Sequence, residues 1–338
     1  MTTVLCTLYN SLYLDKGLVL YDSLCECAKD FKLYVLCMDD NCYEVLTDLK
    51  QEHHIPVRLS DFEAGDEALL TAKANRPMGE YCWTCSSSFI RYVLNHYKED
   101  NCTYIDADMY FYNDPKVLID EMLAAGKSVV VVPHRFPENK KELAKTVGAY
   151  CVEFNTFMNN PESLEVLEYW RDRCLECCSN LGDGVHWGDQ KYLEELIEKF
   201  DCVHVCENPG AGVAPWNIVS YCLEKDEHNV MYLPKQTIIP IVFYHYQNIA
   251  YITRKSVAIG IKKNNSVDLL LVNILYKRYL RRLDDTKKTL SSKYHINILM
   301  QGHPAGMHHF KSLKQSWLGQ HLLLFLRKCN SSYIIISI

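Results

Sequence analysis

Residues 102–108, CTYIDAD, join a short apolar segment to two aspartates, Asp106 and Asp108. The apolar part has the length and composition of a buried strand. Strands and helices alternate on both sides of it, with strands expected at 3–9, 32–38, 55–59, 128–132 and 149–158, and helices at 14–30, 40–50, 82–98, 161–179 and after Pro115. This alternation predicts an α/β fold with a mostly parallel central sheet and helices on both faces.

Asp106 and Asp108 follow the carboxyl end of a predicted strand, which is where parallel sheets bind their ligands. Two carboxylates this close repel each other unless a cation neutralises them. A divalent cation held by few carboxylates keeps open positions for substrate phosphates. There it can neutralise charge on a departing diphosphate. The alternative is a polar turn that precedes the helix at Pro115, and the D-x-D spacing alone does not decide between the two.

Four further side chains are candidates for a site, each with a structural alternative. Asp189 and Gln190 open a predicted helix and either cap it or hold the hydroxyls of a sugar. His245 lies in an apolar strand, where it is either a structural residue or a metal ligand. Arg91 lies on an apolar helix and either extends to solvent or contacts a phosphate.

The composition excludes some classes of protein. The 338 residues carry a formal net charge of −6, and this lack of a basic surplus argues against a nucleic-acid partner. The start of the chain has no basic segment followed by an apolar one, so we expect no secretory signal. No apolar run reaches the length of a membrane-spanning helix. The sequence therefore predicts a cytoplasmic protein without a transmembrane segment.

Sixteen cysteines are scattered through the chain, and we expect most of them to be reduced and packed in the core. Cys82 and Cys85 have C-x-x-C spacing, and Cys174 to Cys178 form a second cluster. A structural zinc site or a redox pair is the alternative for these two clusters.

The pattern changes after about residue 200, and a strand is expected at 239–246 and an amphipathic helix at 266–283. The helix ends in four cationic residues, which either face solvent or another subunit or rest on an anionic membrane surface: Lys277, Arg278, Arg281 and Arg282. Peripheral membrane contact therefore stays open. We expect a catalytic domain at 1–262 and a helical extension at 263–338, of which 285–338 has no readable pattern.

Six segments, in one order, resemble those of a known family. They are CTLYNSLYLDKGLVLYDSL near the start, then IRYVLNHY, YIDADMYFYNDP, FNTFMNN, GDQKYLEEL and FYHYQNI. In this order they resemble the GT-A-fold nucleotide-diphospho-sugar glycosyltransferases of the glycogenin and lipopolysaccharide galactosyltransferase type. The strings EYCWT, GDQKYL and GAGVAPWN also resemble uncharacterised bacterial proteins.

The resemblance implies a role for each matching residue. Asp106, Asp108 and His245 would hold Mn²⁺ or Mg²⁺, with Asp106 also near the ribose. The other implied contacts are Arg91 with the donor, Thr7 and Tyr9 with the nucleotide base, and Asn155, Asp189 and Gln190 with the transferred sugar.

The implied function is metal-dependent transfer of a sugar, with retention of configuration, from a nucleoside diphosphate, expected to be UDP. The acceptor would be a hydroxyl of a glycan, a lipid-linked molecule or a protein. Two departures affect this expectation. Thr156 and Phe157 replace a small residue and a glycine of the family pattern. The lysine that helps to hold the diphosphate has no clear counterpart, and Lys255 and Lys262 are both candidates.

Three other functions remain as alternatives. A sugar nucleotidyltransferase would carry a G-x-G-T-R turn after the first strand, where this chain has Leu8-Tyr9-Asn10-Ser11. A phosphatase of the haloacid dehalogenase type would have Thr or Val two residues after the D-x-D segment, where Tyr110 stands. A non-catalytic carbohydrate-binding protein would need neither the metal nor the nucleotide.

Overall fold

The computed structural model describes residues 1–179, 181, 185–226, 229–253, 256–298 and 333–337. The contacts within the chain divide it into two units. The first contains Met1–Val213 together with Ile241–Tyr244, and the second contains Ala214–Pro240 together with His245–Ile338. This division begins earlier than the boundary expected at residue 262, because the strands after residue 220 pack with the long C-terminal helix and with one another.

The first unit alternates strands and helices, as the sequence predicts. Its strands are β1 (Thr3–Tyr9), β2 (Phe31–Cys37), β3 (His54–Arg58), β4 (Asn101–Ile105), β5 (Met109–Phe111), β6 (Val129–Pro133), β7 (Tyr150–Met158) and β8 (Val203–Val205). Its helices are α1 (Leu14–Cys27), α2 (Asp40–Leu49), α3 (Leu59–Glu63), α4 (Glu67–Asn75), α5 (Met78–His96), α6 (Lys116–Ala124), α7 (Ala144–Val147), α8 (Pro161–Glu176) and α9 (Leu193–Lys199).

Seven of these strands form one sheet in the order β3-β2-β1-β4-β7-β6-β8. Only β7 is antiparallel to its neighbours in this sheet. The predicted mostly parallel α/β fold is therefore confirmed. Because six strands run the same way, their carboxyl ends share one edge of the sheet. Strand β4 lies in the middle of the order, so the residue that follows it, Asp106, lies at the centre of that edge.

Helices α5 and α8 cover one face of the sheet through a buried apolar cluster. Within it the rings of Phe157 on β7 and Trp170 on α8 stack with centroids 5.8 Å apart. Asn160 caps the start of α8 by accepting a hydrogen bond from the Ser163 amide, and Pro161 takes the first helical position, as the sequence predicts.

The described part of the second unit contains two small antiparallel sheets and a long helix. Its elements are β9 (Tyr221–Asp226), β10 (Asn229–Tyr232), β11 (Thr237–Pro240), β13 (Ala250–Thr253), β14 (Ser256–Lys262), α10 (Leu269–Tyr294) and β15 (Tyr333–Ser337). Strand β12 (Phe243–His245) pairs with β5, and its first two residues belong to the first unit. The sheets have the orders β11-β10-β9 and β13-β14-β15. The ring of Tyr279 on α10 stacks on Tyr246 with centroids 3.8 Å apart, which helps to hold the helix in this unit.

The single strand expected at 239–246 is wrong. Strand β11 ends at Pro240, which has no amide hydrogen for a ladder bond. The Val242 amide instead donates to the Gly210 carbonyl, 2.8 Å away, and the Val242 carbonyl accepts from Tyr112 at 2.9 Å. The chain therefore leaves one sheet before β12 begins. In the described part of the chain, no helix has both the length and the hydropathy that a membrane crossing requires.

Candidate active site

Asp106 and Asp108 lie in the turn that joins β4 to β5. Both residues are half-buried, whereas Ala107 between them is buried. Strand β4 therefore delivers two partly accessible carboxylates to the carboxyl edge of the central sheet. Carboxylate oxygens are the ligands that Mn²⁺ and Mg²⁺ prefer.

Asp189 is a third carboxylate of this region, and it is buried. Its Oδ2 atom accepts a hydrogen bond of 2.5 Å from Ser86 Oγ on α5. Its backbone carbonyl accepts one of 2.9 Å from Trp170 Nε1 on α8. Two helices thus fix both the side chain and the backbone of Asp189.

The pKa of Asp189 is raised to about 7. Burial is the largest cause, because removal from water disfavours the charged carboxylate. The negative charge of Asp106 raises the pKa of Asp189 further, whereas the hydrogen bond from Ser86 lowers it. An effect of Asp106 on Asp189 requires that the two carboxylates be close, so the segments DAD and GDQ contribute to one acidic site.

Tyr104 and Asn155 complete this site on the sheet itself. They are register partners on β4 and β7, so their side chains point to the same face. Burial raises the pKa of the Tyr104 hydroxyl, and the charges of Asp106 and Asp189 raise it further. Asn155 is fully buried and its Nδ2 donates weakly to the Cys151 carbonyl at 3.4 Å, whereas its Oδ1 has no hydrogen-bond partner among the described residues. An amide oxygen in that state can accept a hydrogen bond from a ligand.

Gln190 follows Asp189 but its amide group is already engaged. Its Nε2 donates to the Val147 carbonyl at 2.6 Å. Lys191 Nζ reaches the Ala144 carbonyl at 3.2 Å, and Glu194 accepts from the Ala149 amide at 2.8 Å. The residues after Asp189 therefore hold the connection between β6 and β7. The hydrogen bond to Val147 gives Gln190 a positioning role, and its contact with a sugar stays a prediction.

Arg91 does not join the acidic site. It forms an ion pair with Glu168 on α8, and the two side chains are 39% and 43% exposed. Ser86, which does reach Asp189, precedes Arg91 by five residues on α5. Positions five apart on a helix differ by about 140° around its axis. Arg91 could be selected from the sequence because it is a cation on an apolar helix. The residue that contacts Asp189 is Ser86, which has no distinguishing feature in the sequence.

Thr7 and Tyr9 lie in the interior, on the side of β1 that faces α1. Thr7 is fully buried. The Tyr9 ring packs so closely on Gly17 of α1 that an added Cβ there would come within 2.3 Å of it. Burial raises the pKa of the Tyr9 hydroxyl, which lies 3.5 Å from His54 Nε2. Side chains packed in this way offer no open surface to a nucleotide base.

The turn after β1 reaches the surface instead. Leu12 and Tyr13 are 42% and 41% exposed, and Lys16 Nζ lies 3.8 Å from the centre of the Tyr13 ring. The turn is fixed by Ser11, whose amide and hydroxyl both donate to Asp39, the N-cap residue of α2, at 2.9 and 2.8 Å. Sequence reasoning missed this exposed ring, although Asn10, a typical capping residue directly after a strand, marks the start of the turn.

Trp83 on α5 is a second exposed aromatic residue near Asp189. Its side chain is 39% exposed. Its ring lies beside Gly188, where a Cβ would approach within 3.4 Å and where the backbone φ of +58° favours glycine. The Trp83 ring therefore packs beside the backbone one residue before Asp189, and the positive φ is what favours glycine at position 188. Aromatic faces of this kind are common platforms for apolar faces of ligands.

The remaining predicted site residues belong to the second unit. His245 ends β12, is buried, and meets the Trp216 ring edge-on with centroids 5.4 Å apart. Lys262 ends β14 and is exposed. Lys255 lies outside the described residues.

The two cysteine clusters show the features of packed thiols. Cys85 and Cys174 are fully buried, and burial raises the pKa of Cys82 to about 11. Among the described residues, neither cluster belongs to a group of three or more metal-ligating side chains within coordination distance of one another. These observations favour reduced core cysteines over a zinc site.

Two proteins of Bacillus subtilis strain 168 are similar in sequence to this chain. YfnD is 32% identical over 252 residues, which cover 74% of this chain and 78% of YfnD. YfnF is 29% identical over 300 residues, which cover 87% of this chain and 97% of YfnF. Both are described as uncharacterised. No family model matches the chain.

Solved glycosyltransferases share the fold. The galactosyltransferase LgtC, in complex with donor and acceptor sugar analogues, aligns with a TM-score of 0.53 at 12% identity, covering 84% of this chain and 96% of LgtC. The bifunctional glycosyltransferase WbbM gives 0.52 at 13% identity, covering 88% of this chain and 52% of WbbM. The expected GT-A fold of the LgtC type is therefore confirmed.

Proposed function

The chain belongs to the same family as YfnD of Bacillus subtilis and has the fold of GT-A glycosyltransferases, and on this basis we propose that it transfers a sugar to a hydroxyl acceptor. One observation carries the proposal. The partly accessible Asp106 and Asp108 lie at the carboxyl end of the central strand β4, and the charge of Asp106 raises the pKa of the buried Asp189. Such a concentration of carboxylates suits a divalent cation, which in turn can bind a diphosphate, better than it suits a packed core.

The proposed donor is a nucleoside diphosphate sugar, with UDP as the first candidate. Asp106 and Asp108 would hold Mn²⁺ or Mg²⁺, since both offer hard oxygen ligands and the charge of Asp106 raises the pKa of the neighbouring Asp189. His245 remains the proposed third ligand on the resemblance alone. When bound, the cation would neutralise charge on the diphosphate. The exposed ring of Tyr13 offers a stacking surface for the base.

The chain's own residues would orient the transferred sugar. Asn155 Oδ1, which lacks a partner in the described part of the chain, can accept a hydrogen bond from a sugar hydroxyl. Asp189 can accept a second one, held in place by Ser86. In the transfer, the acceptor oxygen forms a bond to the anomeric carbon, the bond to the diphosphate oxygen breaks, and the acceptor proton leaves to the diphosphate. We propose retention of configuration from the resemblance, and a glycan, lipid-linked or protein acceptor.

The proposal is tested by thermal stability of the purified chain across a panel of nucleoside diphosphate sugars, with and without Mn²⁺. A ligand that binds the folded state raises the free energy of unfolding by about 2.7 kcal/mol when its concentration is 100 times its dissociation constant, and the melting temperature rises with it. We expect one nucleoside diphosphate to act only together with Mn²⁺, and Asp108→Ala to abolish the shift.

Asp120→Ala is the matched control, because Asp120 is an exposed aspartate that pairs with Lys116 on α6. It should keep the full shift. A shift that needs a sugar but neither nucleotide nor Mn²⁺ would instead identify a carbohydrate-binding protein. The absence of any shift with every nucleotide would remove the support for a nucleotide-sugar enzyme.

A further inference from the structure

Trp83 of α5 is a large aromatic side chain that stays accessible beside the candidate active site. It lies one helical turn before Ser86, and residues three apart are neighbours on the surface of a helix. Ser86 Oγ donates to the buried carboxyl group of Asp189 at 2.5 Å. Trp83 therefore lies on the side of α5 that faces Asp189, although it remains 39% exposed.

The Trp83 ring also contacts the chain segment that carries Asp189. A Cβ added at Gly188 would lie 3.4 Å from both Cδ2 and Cε3 of the ring. Gly188 and Asp189 are consecutive residues, so their Cα atoms are about 3.8 Å apart. A second tryptophan, Trp187, directly precedes Gly188 and is half-buried. The accessible indole of Trp83 is thus only one residue away from an acid that is proposed to bind the transferred sugar.

A pyranose ring matches a surface of this kind. One of its faces can consist of C–H bonds, whereas its hydroxyl groups lie around the rim. The negative face of an indole attracts C–H bonds, and stacking removes apolar surface of both partners from water. The hydroxyl groups of the stacked sugar remain free to meet polar groups such as the Asp189 carboxyl.

The surroundings of Trp83 favour a neutral ligand over a phosphate. Helix α5 packs against α4 and α8. Each Lys and Arg of these three helices has an acidic partner in the described part of the chain: Lys73 pairs with Glu63, Arg91 with Glu168, Arg171 with Asp66 and Arg173 with Glu176. Asp189 is itself an acid, and in its ionised form it would repel a phosphate. A neutral sugar avoids this repulsion.

We propose that Trp83 is a specificity-determining residue that binds a neutral pyranose acceptor, stacked on the exposed part of its indole beside Asp189. Of the glycan, lipid-linked and protein acceptors, this choice selects the glycan. Trp83 takes no part in bond making, and its role is to hold the acceptor sugar. The term acceptor rests on the proposed transfer reaction, whereas binding of a pyranoside at Trp83 does not.

The test is direct binding of methyl pyranosides of glucose, galactose, mannose and N-acetylglucosamine to the full chain, measured by ligand-observed NMR titration. It is done with UDP and Mn²⁺ present and with both absent. We expect at least one pyranoside to bind, and Trp83→Ala to weaken its affinity at least about 10-fold through loss of the aromatic contact. Trp83→Phe keeps an aromatic ring and should retain the affinity within about threefold.

Leu123→Ala is the control for removal of an exposed apolar side chain. Leu123 is 41% exposed, about as much as Trp83. It stands near the end of α6, shortly before β6 begins, and therefore near the amino edge of the sheet, opposite Asp106. This variant should bind the pyranoside as the parent chain does. Trp83→Ala should keep the rise in melting temperature that a nucleoside diphosphate and Mn²⁺ produce, because the ring is assigned to the acceptor.

Several results would overturn the proposal. They are binding of no pyranoside, unchanged pyranoside affinity in Trp83→Ala, and binding of dodecyl phosphate in place of any pyranoside. Loss of the nucleotide-dependent shift in both Trp83 variants would assign the ring to the donor and overturn it as well. Binding of a pyranoside that depends on Trp83, without any response to nucleotides, would support the sugar site and remove the transfer reaction. The two proposals therefore fail separately.

Discussion

At the scale of single residues, Asp189 combines two features that oppose ionisation, burial and a neighbouring carboxylate. A folded-state pKa of about 7 lies above the usual value for an unfolded aspartate. The folded chain therefore binds the Asp189 proton more tightly than the unfolded chain does. The stability that comes from the neutral acid is fully present near pH 4 and is lost as the pH rises toward 7. The site thus costs the fold stability at neutral pH.

Asp189→Asn should remove this dependence on pH. In the presence of a chelator, we expect the variant to gain stability over the parent chain between pH 4 and pH 7, by on the order of 1 kcal/mol per pH unit. The asparagine amide oxygen can still accept the hydrogen bond from Ser86. Unfolding by denaturant at several pH values measures the effect, with Asp120→Asn as an exposed control. If the free energy of unfolding depended on pH in the same way for Asp189→Asn and the parent chain, the raised pKa of Asp189 would be contradicted.

Part of the site was predictable from sequence at this scale. Asp106 and Asp108 could be selected because they come directly after an apolar strand. Asp189 could be selected because it stands at the start of a predicted helix. The sequence did not predict that Ser86 would replace Arg91 beside Asp189, because either residue fits an apolar helix and the rotation of α5 decides which one faces the sheet. It also did not predict that Tyr9 is packed against Gly17, since period-two alternation does not tell which face of β1 meets α1.

At the scale of elements, strands and helices with a clear apolar period or a capping residue could be predicted from the sequence. Strands β1, β2, β4 and β7 and helices α1, α2 and α8 lie close to the expected ranges, because each has a clear apolar period or a cap. Helices α3 and α4 were missed. Helix α4 buries only Leu69 and Ala72, so it has little apolar period to detect. Helix α10 continues to Tyr294, beyond the expected end at 283, because Leu290 extends its buried side after a polar stretch.

Two helical glycines differ in the space available for a larger side chain, because Gly17 is tightly packed and Gly79 is not. Gly17→Ala in α1 would bring a methyl group within 2.3 Å of the Tyr9 ring, and such overpacking costs about 1–3 kcal/mol. Gly79→Ala in α5 meets nothing within 4 Å, and it should stabilise by up to about 1 kcal/mol through the lower entropy of the unfolded chain. Thermal or denaturant unfolding of the two variants gives the comparison. A stabilising Gly17→Ala would show that Tyr9 does not pack on α1 as described.

At the scale of the whole molecule, the chain contains a first unit with the GT-A-type sheet and a second unit. No single sequence pattern predicted the second unit. The sequence predicts a boundary at residue 262, whereas the contacts group β9–β11 and β13–β15 with α10. Long-range pairing of this kind, such as β14 with β15 across more than 70 residues, leaves no local trace in the sequence.

The central claim is that Asp106 and Asp108 support transfer of a sugar from a nucleoside diphosphate. The most direct measurement is the release of nucleoside diphosphate from the donor that stabilises the chain, with added sugar acceptors, in Mn²⁺ and in chelator. The account predicts turnover that requires the metal and falls at least about 100-fold in Asp106→Asn, but not in Asp120→Asn. Turnover that continues in chelator, or an Asp106→Asn variant as active as the parent chain, would contradict it.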